Sequence, residues 1–177
     1  MHVTQMSVHD ATMDWPKDHQ QRAQQLVDKY GQPQEVSTTH LTWFDNGPWK
    51  RTTLYRNEFQ HDFPKPHKDY LKQAVDYKVP PEKACDITAF DGSVMFDRTA
   101  GELAARCDAE AANFLGINLA DQLVTGKIDV AEARRQYGEN ISKMMQGQMT
   151  PLMEAFQFSL PQAGTGDPDQ STIGARM

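Results

Sequence analysis

Trp43-Phe44-Asp45-Asn46-Gly47-Pro48-Trp49-Lys50-Arg51 is the stretch that decides how this chain folds. It sets a turn between two large aromatics. Upstream lie Val36, Thr38, Thr39 and Thr42, and downstream lie Thr52, Thr53, Leu54 and Tyr55. β-branched and aromatic residues at this density suit the pleated, half-buried surface of a strand, so the stretch reads as a nucleating hairpin. Asn46-Gly47 suggests a two-residue turn. Pro48 would then open the second strand with no N–H to give to the ladder. A four-residue loop from Asp45 to Pro48, closed by Phe44 opposite Trp49, answers that objection. It pairs His40 with Thr53 and sets Leu41, Trp43 and Leu54 on one face.

Working outward from the hairpin, residues 1–13 are polar and aperiodic and read as an arm. Asp14-Trp15-Pro16 opens a helix, with Asp14 as N-cap and proline in the first turn. Ala23, Leu26, Val27 and Tyr30 form its stripe, and Gly31 ends it. On the other side, Pro64 and Pro66 stiffen a loop from His61 to Asp69. Leu71, Val75, Tyr77 and Val79 then alternate with polar residues as a strand, stopped by Pro80-Pro81. Glu82 to Phe90 reads as a short helix. Val94 and Phe96 face Leu103 and Ala105 in a second hairpin. Asp108 is expected to cap a helix reaching Val124, apolar on most sides and so central. Asp129-Val130-Ala131-Glu132 is a capping box for a helix that ends at Gly147. Residues 155–160 suggest an edge strand and 161–177 a disordered tail. Strands that come as hairpins, with helices before and after, predict an α+β fold: an antiparallel sheet with helices packed on one face, in one domain over 14–160.

Composition narrows the functional classes. The chain has 177 residues, enough to bury a core without staples. Its mean hydropathy of −0.69 points to polar ends around that core. A net charge of −6 argues against a nucleic-acid binder, whose affinity comes from clustered Lys and Arg. No apolar run approaches the roughly 18 residues a membrane span needs, so no transmembrane segment is expected. Met1 to Met6 has no basic or apolar signal region, so the default compartment is the cytoplasm, or outside it if a leader precedes. Cys85 and Cys107 lack metal-ligand spacing, and two reduced, buried thiols are a plainer expectation than one disulfide.

The segments Asn46-Gly47-Pro48-Trp49-Lys50-Arg51, Phe63-Pro64-Lys65-Pro66-His67, Asp91-Gly92-Ser93 and Gly101-Glu102-Leu103-Ala104-Ala105-Arg106-Cys107-Asp108 together resemble a family of uncharacterised bacterial proteins. The resemblance spans residues 15–145 and implies no catalytic residue and no ligand. More locally, Tyr30-Gly31-Gln32-Pro33 followed by Val36 and Trp43 resembles the helix-to-hairpin entry of small outer-membrane assembly lipoproteins, although the later elements run in a different order.

Three constellations could carry chemistry. His61, Asp62, His67 and Asp69 lie within nine residues, and the hairpin could bring His40 near. Imidazole and carboxylate suit zinc or a similar divalent ion, which makes His40, His61, His67 and Asp69 the metal candidates. The spacing matches no zinc signature such as HExxH, and a solvated, proline-braced loop is the plainer account. Asp91, Asp97, Arg98, Glu102, Arg106 and Asp108 read more simply as cross-strand ion pairs than as an acid–base pair. Cys107 stands where a helix N-terminus favours a thiolate, yet a small buried residue is commoner there. Finally, Trp43, Asn46, Trp49, Lys50, Arg51 and Tyr55 would make an aromatic and basic contact surface. The leading expectation is a non-enzymatic binding or assembly protein using that surface, with a protein partner or a homo-oligomer and no cofactor. The alternative is a small metal-dependent enzyme or metal-binding protein that uses the histidine loop.

Overall fold

The computed structural model describes residues 6–174. In chain order the elements are α1 (Val8–Thr12), α2 (Lys17–Tyr30), β1 (Glu35–Val36), β2 (His40–Asn46), β3 (Trp49–His61), β4 (His67–Asp76), α3 (Ala84–Phe90), β5 (Val94–Asp97), β6 (Glu102–Cys107), α4 (Glu110–Val124), α5 (Val130–Met145) and α6 (Pro151–Glu154). Among the described residues six strands form one antiparallel sheet in the order β1-β2-β3-β4-β6-β5. The expected α+β class, with its hairpin-built sheet, is what the chain adopts. No helix among the described residues is long and apolar enough to cross a membrane.

Register explains where the core lies. Leu41, Leu54, Leu71 and Cys107 pair in a row across β2, β3, β4 and β6. All four are buried, and each of the three leucines contributes about 1.5–3 kcal/mol by leaving water. Paired residues point to the same side of a sheet. Ala23 and Leu26 of α2 pack with Leu41, Trp43 and Leu54. Leu115, Ile117 and Leu119 of α4 belong to the same cluster as Val94, Leu103 and Ala105. Arg51, Lys72, Arg106 and Glu102 occupy the alternate positions and face the other way.

Glu110, on the first turn of α4, joins four elements. Its Oε1 accepts from Trp49 Nε1 at 2.8 Å, Gln73 Nε2 at 3.0 Å and the Tyr30 hydroxyl at 2.5 Å, while Lys29 Nζ pairs with Oε2. Burial pushes this carboxyl up, but those four donors outweigh it and hold the pKa below the usual carboxylate value. Asn113 and Asn118, polar residues in a largely buried helix, are also partnered. Asn113 Nδ2 donates to the Leu71 carbonyl and Gln73 Oε1, and Asn118 Nδ2 to the carbonyls of Leu152 and Ala155.

Several local expectations change. The first hairpin is tighter than predicted: Asn46 pairs with Trp49, so only Gly47 and Pro48 lie outside the ladder. Gly47 takes φ 66°, and the ring of Pro48 fixes φ at roughly −65°, the sign order of a type II′ turn. Pro48 therefore sits inside the loop, where no ladder bond is required of it. His40 meets Tyr55 rather than Thr53. That two-residue shift leaves each side chain on its expected face. Helix α2 has Pro16, not Asp14, at its N-cap, and Ala109 rather than Asp108 precedes α4. The expected arm contains α1, capped by Ser7, with Ala11 buried. Residues 155–160 form no strand, although Phe156 and Phe158 pack on the core. The expected tail from 161 lies partly against the β5–β6 turn, where Thr165 is buried and Arg98 pairs with Asp167 and Asp169. The expectation for residues 1–5 and 175–177 falls outside the described residues.

Candidate metal centre

The end of β3 and the start of β4 set His61 directly opposite His67, with ring centroids 4.9 Å apart. Pro64 and Pro66 brace the intervening loop, so the two imidazoles are held by both the ladder and the turn. Asp69 lies two residues along β4 and therefore on the face of His67; it is 0% exposed. One donor atom from each of His61, His67 and Asp69 lies within 4.8 Å of the others. The β3–β4 register slips between Leu54 and Phe59. A bulge of this kind re-aims the residues beyond it, here those leading to His61.

Each candidate ligand is oriented from behind. His67 Nδ1 lies 2.8 Å from the Lys65 carbonyl, which can only accept, so Nδ1 carries the proton. Nε2 is left facing Asp69 Oδ1 at 3.0 Å. On His61, Nε2 lies 3.4 Å from Asp91 Oδ1, and Nδ1 faces Asp69 Oδ2 at the same distance. Ser93 Oγ donates to Asp69 Oδ2, and Arg106 Nε lies 4.0 Å from the same oxygen. His61 Nδ1 and Asp69 Oδ1 are buried, and outside these contacts with one another's residues neither has a hydrogen-bond partner. Orphaned polar atoms of that kind cost about 1–3 kcal/mol each and call for a partner. The arrangement of carboxylate behind histidine, and hydroxyl behind carboxylate, is how proteins orient metal ligands.

The electrostatics agree with the geometry. Asp69 first, and Cys107 next, raise the pKa of His67 to about 11. A positive charge at Nε2, whether a proton or a metal ion, is what the facing carboxylate demands. Burial pushes Asp91 upward, opposed by the backbone N–H of Ser93, which donates to Oδ1 at 2.7 Å. Cys107 Sγ lies 3.4 Å from His67 Nε2, and burial raises its pKa. Tyr137 of α5 reaches the same place: burial, then the neighbouring Cys107 and Asp91, push its phenol well above the usual value. A pocket of about 90 Å³, walled by Pro64, Ala112, Tyr137 and Ile141, opens onto His67 and Cys107.

The structure thus gathers His61, His67 and Asp69 and separates His40 from them. His40 Nδ1 lies 3.1 Å from Ser37 Oγ and from Thr39 Oγ1, and its place at the start of β2 keeps it among those local partners. The proposed contact surface is corrected more sharply. Trp43 and Trp49 are each 1% exposed. Their indole N–H groups donate to Gly31 and Glu110, and buried Asn46 donates to Thr52. Lys50 and Arg51 are engaged by Asp76 and Glu102, and they and Tyr55 are only partly open. Both cysteines are free, as expected, but Cys85 is exposed. Asp91, Ser93, Cys107 and Tyr137 escaped assignment to the site because they lie 22 to 68 residues beyond Asp69 (91 − 69 and 137 − 69). Comparison with known proteins finds no matching family model, no matching curated protein and no matching solved structure.

Proposed function

We propose that this chain is a metal-dependent enzyme whose centre holds one divalent ion through His61 Nδ1, His67 Nε2 and Asp69 Oδ1. The observation that carries this reading is the convergence of three donor atoms, two of them buried and otherwise unpartnered. Two histidines and one carboxylate leave at least one coordination position open, which distinguishes catalytic from structural sites. The adjoining pocket gives that position an approach. The free thiol of Cys107 near His67 would be exposed to oxidation beside an oxygen-activating iron, which favours a redox-inert ion such as zinc. Zinc there would lower the pKa of a bound water to about 7 and supply a nucleophile at neutral pH.

The test is metal content. Purified protein, stripped with chelator and reloaded with zinc or cobalt(II), is expected to hold about one ion per chain by mass spectrometry, following the three-ligand geometry. His67→Ala and Asp69→Ala should each abolish stoichiometric loading while His40→Ala leaves it intact. Failure of the wild-type chain to retain zinc, cobalt or iron(II) would overturn the reading.

A further inference from the structure

A groove of about 910 Å³ runs between the loop from Phe63 to Lys65 and helix α5. It shares Pro64, Lys65 and Ile141 with the small pocket on His67, so the two are neighbours along one wall. Their charges differ. The groove carries Lys65, Arg134, Arg135 and Lys143 against a single carboxylate, Glu139, in a chain whose overall charge is −6. Arg135 is neutralised by Glu132 and Glu139. Among the described residues Lys65 and Lys143 form no ion pair, and Arg134 lies over the Phe63 ring with no carboxylate on it. The inner pocket is mixed: Lys65 and Asp108 are its oppositely charged walls beside His67, and the rest is mostly apolar.

A glycine keeps the groove open. Gly138 sits in the middle of α5, where glycine disfavours a helix. A β-carbon placed there would meet nothing within 4 Å. Helix packing does not require the glycine, and any larger side chain would project into the groove it lines.

We infer that the proposed metal centre takes an anionic substrate with a slender reacting end. The anionic group lies in the groove, held by Lys65, Lys143 and Arg134. The reacting end passes Pro64 and Ile141 into the pocket. At about 90 Å³ the pocket has room for a group of only a few heavy atoms, roughly the space of three waters. This inference rests on the metal reading for its chemistry, but the groove can be probed without it.

Monomethyl adipate, charged at one end and an ester at the other, is the probe. Dimethyl adipate lacks the charge, and adipate carries one at both ends. Calorimetry on the metal-free protein should show the monoester binding about tenfold more tightly than the diester, the scale of one good charge contact. With cobalt loaded, adipate and the monoester should both perturb the visible spectrum, because the end outside the groove reaches the ion. Lys143→Glu should erase the advantage of monoester over diester. Gly138→Phe should block all three ligands, with circular dichroism and metal content as in the wild type. Equal affinity for monoester and diester, or an unchanged ratio in Lys143→Glu, would overturn the inference. A chain that binds the monoester but takes up no metal would sink the metal reading alone.

Discussion

The backbone carbonyl of Lys65 and the Nδ1 of His67 share a 2.8 Å hydrogen bond that settles which nitrogen of the imidazole faces inward. The carbonyl belongs to a loop with a proline on either side of Lys65, at 64 and 66, so it has little freedom to withdraw. A histidine fixed in this way keeps Nδ1–H on the carbonyl, so a metal ion binding beside Asp69 displaces the proton from Nε2 and takes its lone pair. The loop between β3 and β4 is therefore part of the site through its backbone as well as its side chains.

Asp91 plays the same part for His61, from the turn between α3 and β5. Asp91→Asn keeps the shape and removes the charge 3.4 Å from Nε2. Metal affinity is expected to fall by about 10–100-fold without being abolished. Competition with a chromophoric chelator measures it. An unchanged affinity would mean that Asp91 does not orient His61.

The Glu110 carboxyl makes stability depend on acid. Its folded pKa is held below the unfolded value near 4.5, so its contribution is complete above that pH and is lost as pH falls through the lower, folded value. Glu110→Gln should flatten that part of the acid limb in chemical denaturation and should lower stability at neutral pH. Glu110→Ala leaves the buried donors of Trp49 and Gln73 without an acceptor and should cost about 2–4 kcal/mol. An acid limb identical in Glu110→Gln and wild type would refute the assignment.

Two glycines should respond to alanine in opposite directions. Gly138→Ala meets open space and relieves a mid-helix glycine, so it should stabilise by about 0.5–1 kcal/mol. Gly101 has φ 68°, and a β-carbon there would lie 2.3 Å from the backbone carbon of Thr165. Gly101→Ala should destabilise by about 1–3 kcal/mol, because both the conformation and the close approach exclude a side chain. Thermal melts of the two variants give the comparison directly.

Local patterns made most of the fold legible. Alternation marked β4, the capping box marked α5, and β-branched density marked β2 and β3. Turn details were less legible, because Pro48 can be accommodated by moving the turn one residue along, and no composition rule separates those cases. The candidate site was half visible. His61, His67 and Asp69 are close in sequence and were readable as a group. Asp91 was readable only as a member of another charged cluster, and Cys107 only as a lone thiol at a strand–helix junction. The sheet order joins the two groups by placing β6 and then β5 beside β4, a non-local pairing that no single segment encodes. His40 was drawn in wrongly because adjacency in a hairpin was taken for adjacency at its far end. Trp43 and Trp49 were taken for a surface because large aromatics flanking a turn look exposed until the helices that cover them, α2 for Trp43 and α4 for Trp49, are placed.

Strand β3 begins at Trp49, beside the turn, and ends at His61, at the metal centre. Its thirteen residues, at about 3.3 Å each, span roughly 40 Å when extended. The part of the chain that starts the fold and the part proposed to do chemistry are therefore at opposite ends of one rod. Sequence drift at the Gly47-Pro48 end is felt as the amount of folded protein, and drift at the His61 end as what that protein can bind. A lineage of such chains could trade one substrate or metal for another at the far end while the turn that starts the fold stays as it is.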